Sequence, residues 1–418
     1  MLDINLIRQN PELIKATLES RHVDVSIEDL LNIDVAVRNL QGELDAKRHT
    51  LKASSVGKPT EDDRKILQKL SQSIKEGDAE LTKLEKSRTE LLMKLPNLNE
   101  SETPIGETEA DNIVVSIHGT RPTFNFEPRP YYEIESVKPF LKMEEGARTS
   151  GSRFYYLTGK LALLQRAIFR AALDIMIAEG FEIVIPPLLV RERAMFGTGH
   201  FPADQFEIYH VNPEDDNLYL VGTAEVPLVS LHDGETLSYE SLPRMYMAET
   251  TCFRREAGSY GKDQAGILRV HQFQKIEMVI FCAPEDSSKF HMRIRVIEEK
   301  IAQAFDLHYQ IIDVCSADLG FPAARKFDIE AWFPSQKKFR ELTSTSNTTD
   351  FQSRRLNIGY RPATDNKTSE RALVHTVNGT GITDRLWLAV LEQHQRADGS
   401  VELPKILQAY LPWNILTV

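Results

Sequence analysis

The chain has 418 residues, 41% hydrophobic and 27% charged, which predicts two or three soluble globular domains with ample core. Its net charge of −11 argues against a protein that coats nucleic acid over its whole surface, while leaving room for one local basic element. There is no apolar run of about 18 residues to span a membrane. The opening MLDINLIRQNPELIKATLES lacks the apolar core of a secretory signal. The three cysteines, Cys252, Cys282 and Cys315, form no CxxC pair and read as reduced thiols of a cytoplasmic protein.

The first strong patterns are helical. Ile33, Val37, Leu40, Leu44 and Leu51 recur in alternating steps of four and three, with Lys47 interrupting. A second run follows the same rhythm through Leu67 or Ile66, then Leu70, Ile74, Leu81, Leu84, Leu91 and Leu95. Both are heptad seams. Gly77 and Arg88 fall on the second seam and are expected to weaken it. The turn-rich stretch 53–63, with Gly57 and Pro59, joins the two into an antiparallel hairpin. Arms of about 30 residues reach about 45 Å, so the hairpin is expected to project. Its tip is basic: Lys47, Arg48, Lys52, Lys58, Arg64, Lys65 and Lys69 face only Glu61, Asp62 and Asp63. Charged flanks are ordinary on coiled coils, but such a tip also suits RNA phosphates.

Residues 96–130 are rich in Pro, Gly, Glu and Thr and read as a linker. Leu161–Glu179 carries an apolar helical face, and Gly180 suits its C-cap. Residues 181–190 read as one strand containing Pro186 and Pro187, which places it at an edge or bulge.

Residues 244–277, RMYMAETTCFRREAGSYGKDQAGILRVHQFQKIE, are the most informative. Arg254 and Glu256 follow an apolar run, and two residues apart on a strand they would share a face. Gly258, Gly261 and Gly266, with Lys262 and Asp263 between, predict a loop. The chain returns through Leu268–Phe273 to Glu277. A strand–loop–strand unit with an arginine on each arm suits a triphosphate. A single such arginine is most often a solvated cross-strand partner; the full spacing makes the difference. Further on come Glu341-Leu342-Thr343-Ser344-Thr345-Ser346-Asn347, which reads locally as a Ser/Thr-rich turn, and VNGTGITDRLWLAVLEQHQ (377–395), a Gly-rich turn leading into a helix.

Residues 244–277 resemble motif 2 of the class II aminoacyl-tRNA synthetases, and the wording FRxEAG…RVHQFxKxE is similar to that of bacterial-type seryl-tRNA synthetases. MLDxxLIRxNPExI followed by a helical hairpin resembles the tRNA-binding arm of the same family. The helix–strand–proline passage resembles motif 1, and 377–395 resembles motif 3. The resemblance spans about residues 1 to 411, with its motifs in the expected order. It implies an α+β fold: an N-terminal antiparallel helical hairpin over 1–100, a linker over 101–130 and, over 131–418, a class II catalytic domain with an antiparallel sheet flanked by helices. It implies a homodimer that ligates L-serine to tRNA(Ser), and to tRNA(Sec) where one exists, through a seryl-adenylate made from ATP with Mg2+.

Roles follow residue by residue from the resemblance. Arg254 bridges the α-phosphate and the serine carboxylate, Glu256 reads the adenine amino group, Arg269 faces the γ-phosphate, and Arg385 binds phosphate. Arg254, Arg269 and Arg385 are thus the catalytic candidates; Val270, Leu342 and Thr343 complete the ATP site. Glu341 and Ser344 would hold Mg2+ with the ATP phosphates. Thr223, Ala224 and Glu225, with Arg254, Glu277, Asn378 and Thr380, would select serine. Gly197-Thr198-Gly199-His200 resembles a stretch lining the serine pocket, with no role for His200. Lys47, Arg48, Lys52, Arg64 and Lys65 would bind tRNA. Both steps develop charge on oxygen, so positioning and electrostatics should dominate over any protein nucleophile.

The chain departs from the family pattern in places. Arg255 stands where a serine is usual, Asp384 where a small or neutral residue is usual, and Trp387 where a smaller one is. The histidine expected soon after Asn97 is missing. Asp384 is expected to weaken the positive field at Arg385. The alternatives are a synthetase-like ligase charging a carrier protein and a non-catalytic RNA-binding paralogue. Against the first stand the N-terminal arm and the absence of metal-spaced cysteines. Against the second stand all four of Arg254, Glu256, Arg269 and Arg385.

Overall fold

The computed structural model describes residues 1–54, 60–257, 265–362 and 370–418. The expected turn at Gly57, Lys58 and Pro59 lies outside them, as do Gly258, Gly261, Lys262 and Asp263 of the predicted loop. Two compact units emerge, Met1–Pro96 and Asn97–Val418.

The first unit holds α1 (Ile4–Gln9), α2 (Pro11–Ser20), α3 (Ile27–Ser54) and α4 (Glu61–Met93). Thr60 and Asp63 form a reciprocal capping box that starts α4. The heptad seam is real: Val37, Leu44 and Leu81 pack together with Ile33, Leu40 and Leu84. The two residues expected to weaken it are accommodated by partners across the seam. A Cβ on Gly77 would lie 2.5 Å from Cδ2 of Leu44, so glycine lets the leucine across the seam seat fully. Arg88 bonds Asp34 at 3.1 Å, and Asp34, fully buried, also takes Arg8 at 2.7 Å and Arg38 at 3.2 Å. A seam arginine is tolerated because its counter-charge is buried beside it.

The second unit is built on an eight-stranded sheet. Its strands are β1 (Ile113–His118), β2 (Glu182–Ile183), β3 (Arg244–Phe253), β4 (Gln272–Cys282), β5 (Tyr309–Asp313), β6 (Arg325–Phe333), β7 (Lys338–Thr349) and β8 (His375–Thr383), in the order β1-β5-β6-β7-β8-β4-β3-β2. Pairing is antiparallel except between β2 and β3. The helices that matter are α5 (Gly159–Ala178), α6 (Glu225–Ser230), α7 (Ser287–Ala304), α8 (Phe351–Leu356) and α9 (Asp384–Gln393).

Several readings are corrected. The passage 101–130, taken as a linker, supplies β1, which pairs with β5 at the sheet edge; composition alone missed a strand whose partner lies far along the chain. The single strand expected over 181–190 is two short ones, β2 and Leu189–Arg191, in different sheets. Pro186 and Pro187 lie between them because neither can donate to a ladder. The supposed turns at 341–347 and 377–383 are strands β7 and β8. Glycine is needed in β8 for close packing: a Cβ on Gly379 would meet Ile294 Cγ2 at 2.3 Å, and one on Gly381 would meet Met176 Sδ at 2.5 Å.

Side-chain alternation gives the sheet two faces. On one, Met247, Met278, Ile280, Phe327 and Ile329 join the apolar faces of α5, α7 and α9 in the main core. On the other, Tyr246, Ala248, Val279 and Phe281 pack against Ala224, Leu228 and Val229 at α6 and Leu356 of α8. That second face is apolar only at one end.

Candidate active site

Followed along its strand, the face carrying Phe281 and Val279 continues through Glu277 to Lys275, so the same period of two that builds the second core turns polar. The neighbouring strands turn polar there too. Thr250 stands opposite Lys275 on β3, and Thr380 opposite Glu277 on β8. Two irregularities complete the set. The β6–β7 pairing goes from Ile329↔Thr343 to Glu330↔Glu341, leaving Leu342 as the extra residue. Ser344 and Glu341 are three apart and would otherwise point to opposite faces; the bulge puts both on the polar one. Likewise, Gly381 is the extra residue of β8, which aligns Thr380 with Thr383.

The result is a cavity of about 150 Å3 whose wall includes Arg254, Glu256, Arg269, Lys275, Glu341 and Arg385, with Val270, Leu342 and Thr380. Arg254 lies just past β3. Its N–H donates to the His271 carbonyl at 3.0 Å, which ties the two arms beyond the ladder, and its Nε reaches the Gly222 carbonyl at 3.3 Å. Its guanidinium stands 5.3 Å from the Phe273 ring. Glu256 does not share a strand face with it, as the spacing suggested. The strand has ended, and Glu256 has φ +50°, a left-handed conformation that turns its carboxylate to Arg269 at 3.3 Å. Arg385 donates to Glu341 Oε2 at 3.0 Å. Enclosure opposes ionisation of Glu341, but Arg385 and then Lys326 hold its carboxyl down to about 2. Arg269 and Arg385 each hold a carboxylate that a polyphosphate would displace.

Beside this cavity lies a drier cluster. Lys275 donates to Thr223 Oγ1 at 3.0 Å and is ion-paired with Glu277. Glu225 Oε1 accepts from Asn378 Nδ2 at 2.9 Å and Gln352 Nε2 at 2.7 Å. Burial raises both carboxyls, against Lys275 and Arg254 in each case. Such a set offers a cationic ammonium group a place that water fills poorly. Lys275 lines the cavity and belongs to this cluster, so the two share a wall.

Three predicted residues contribute differently from expectation. Ala224 is wholly buried in the second core. Leu342 borders the cavity while its side chain belongs to the main core. Thr343, 4% exposed, lies next to Glu298 of α7 on the opposite face. Ser344 lies beside Asp328, its register partner. Sequence reasoning missed Lys275, which was legible as the residue two before Glu277 on one strand. It also missed Gln352, for which no local signal existed. Among the hairpin residues, Lys52, Arg64 and Lys65 are exposed, while Lys47 donates to Ser73 at 3.1 Å and Arg48 is held by Asp45 at 2.9 Å and Asp78 at 2.5 Å.

Family models match a stretch of each unit. Residues 1–99 match the seryl-tRNA synthetase N-terminal domain, and residues 206–394 match the class II tRNA synthetase core domain (G, H, P, S and T). The chain is 41% identical to a serine–tRNA ligase of Thermobifida fusca over an alignment of 423 residues, covering 100% of this chain and 99% of that protein. It is 42% identical to one of Nocardia farcinica at the same coverage. A crystal structure of seryl-tRNA synthetase from Pyrococcus horikoshii complexed with ATP superimposes with a TM-score of 0.93 at 36% identity, covering 100% of this chain and 99% of that one.

The chain belongs to the seryl-tRNA synthetase family.

Proposed function

We propose a division of labour among these side chains within the activity of the family, in which ATP is used to ligate L-serine to tRNA through a seryl-adenylate. The carrying observation is that Arg254, Arg269 and Arg385 converge on one cavity that shares Lys275 with the cluster of Thr223, Glu277, Glu225 and Asn378. Arg269 and Arg385 take the outer phosphates as they leave Glu256 and Glu341. Arg254, between the two regions, spans the α-phosphate and the serine carboxylate, where charge builds during attack. Glu256 reads the adenine amino group. Glu277 and Glu225 take the serine ammonium and hydroxyl, with Thr223, Asn378 and Thr380 completing the fit. A pocket built to hydrogen-bond a hydroxyl leaves buried polar groups unpaired with alanine, which is how it discriminates.

Glu341 and Ser344 have the chemistry for Mg2+: an ionised carboxylate and a hydroxyl on one strand face, suited to an ion that takes one or two carboxylates plus substrate phosphates. The ion would neutralise phosphate charge during displacement. The nucleotide phosphates would complete the ligand set. The hairpin, with Lys47, Arg48, Lys52, Arg64 and Lys65, grips tRNA(Ser), and tRNA(Sec) where it exists. The enzyme works as a cytoplasmic homodimer; no helix of the described residues is long and apolar enough to cross a membrane.

The test is pyrophosphate exchange with each amino acid in turn, followed by charging of purified tRNA. Serine alone should support exchange, without tRNA. Equal stimulation by alanine or threonine would overturn the pocket assignment.

A further inference from the structure

Asp384 and Trp387 stood out in the sequence as departures beside Arg385, and in the structure they answer each other. Asp384 is the first residue of α9 and only 3% exposed. Its Oδ1 accepts from Gln165 Nε2 of α5 at 2.6 Å and from Trp387 Nε1, one turn along α9, at 2.8 Å. Its Oδ2 accepts from the backbone N–H of Gln274 on β4 at 2.8 Å and from the Tyr155 hydroxyl at 3.1 Å. Trp387 is fully buried, and a buried indole N–H needs an acceptor. The Gln274 N–H needs one as well. The β4–β8 ladder begins at Lys275↔Thr383, and beyond it the chain has already left β8 for the helix. The Asp384 carboxylate takes the place of the missing strand carbonyl. The expectation that Asp384 merely dilutes the charge at Arg385 is therefore replaced: Asp384 borders the cavity, but its carboxylate is occupied by four donors.

Arg385 is the next residue in the chain. Its backbone N–H is capped by Thr383 Oγ1 at 3.3 Å, and its guanidinium reaches the Glu341 carbonyl at 3.1 Å and the Leu268 carbonyl at 3.4 Å. A long side chain finds its target only from a fixed base, and a displacement of about 1 Å at a reacting site costs about 10²-fold. We infer that Asp384 is a positioning residue for the nucleotide phosphates: tied to α5, β4, Tyr155 and Trp387, it fixes the turn from which Arg385 enters the cavity. This rests on the reading of Arg385 as a phosphate ligand.

The experiment is a double-mutant cycle read by equilibrium binding of a non-hydrolysable ATP analogue to the full-length protein, with serine KM in exchange measured alongside. Asp384→Asn keeps the shape but turns an amide donor toward existing donors. It should weaken analogue binding about tenfold while leaving serine KM within about twofold. In an Arg385→Ala background the same change should cost almost nothing further, since there is no guanidinium left to aim. Trp387→Phe, which removes one donor and keeps most of the ring, should shift analogue affinity in the same direction by less, and serves if Asp384→Asn fails to fold. Should Arg385→Ala by itself leave analogue binding intact, the phosphate reading of Arg385 falls and this inference with it. Should Arg385→Ala weaken binding while the Asp384 change is additive, or moves serine and nucleotide equally, Arg385 keeps its role and Asp384 is only a packing residue.

Discussion

In the helical hairpin, the buried carboxylate of Asp34 has guanidiniums of Arg8, Arg88 and Arg38 within 2.7–3.2 Å. At the catalytic sheet, Glu225 and Glu277 have Lys275 and Arg254 between them. The Arg8 guanidinium, ahead of Arg88, holds the Asp34 carboxyl below its ordinary value despite burial, whereas burial raises Glu225 and Glu277 above theirs. The hairpin closes its charges on itself. On the proposed assignment, the sheet keeps these carboxylates at the expense of stability because their missing partner would be the substrate.

The largest effect that could break this contrast is at Arg254. Arg254→Ala should lower serine-dependent exchange by about 10²–10³-fold with the melting temperature unchanged, since the side chain is exposed and makes one long bond to Gly222. A matching loss of melting temperature would move Arg254 from the substrate-directed set to the structural one.

Asp34 should behave in the opposite way. Asp34→Ala leaves arginines facing a buried vacancy, partly open to solvent, and should cost about 2 kcal/mol of hairpin stability while serine-dependent exchange continues unaltered. The pH dependence comes from the lowered carboxyl. The stabilisation is fully present above the unfolded value of about 3.9 and is lost as pH falls through the lower folded value. Asp34→Asn should flatten that acid limb of a thermal unfolding series; an unchanged limb would show that the pair contributes nothing.

On the tRNA side, neutralising Lys47, Arg48, Lys52, Arg64 or Lys65 should reduce the salt slope of tRNA binding by about 0.7–0.9 for each phosphate no longer paired. Arg48 should contribute least, because Asp45 and Asp78 already hold it. Equal slopes for Arg48→Gln and Lys52→Gln would show that these pairs within the hairpin open freely.

The smallest effect sharpens the contrast most. Glu225→Gln should raise serine KM about tenfold while stabilising the catalytic unit by about 1 kcal/mol. Gln352 and Asn378 keep their acceptor, and the buried charge is gone. Because the folded carboxyl is raised, its ionisation opposes folding from about pH 4.3 upward and the cost is complete above the folded value; the stabilisation should therefore vanish in acid. A variant no more stable than the parent at neutral pH would mean that Lys275 already compensates Glu225 in full.

Heptad spacing was enough to establish the hairpin, since each arm needs only a partner of the same period. The arginines of residues 244–277 were equally local, and the motif order and the α+β class came with the family resemblance that those residues carry. Tertiary structure decided the rest. Residues 113–118 became a strand only because Tyr309–Asp313 offers an edge. The polar segments at 341–347 and 377–383 became strands because neighbours on both sides supply their hydrogen bonds, which outweighs turn propensity. Glu341 and Ser344 share a face through an extra residue in a pairing that no single segment encodes. Gly77 and Arg88 read as flaws in a seam until Leu44 and Asp34 arrived from the other helix. Asp384 read as a stray charge until its four donors came together from β4, α5, Tyr155 and its own helix. Local sequence sets what a segment can form; the partner of a buried polar group comes from elsewhere in the chain, and only folding brings it within hydrogen-bond reach.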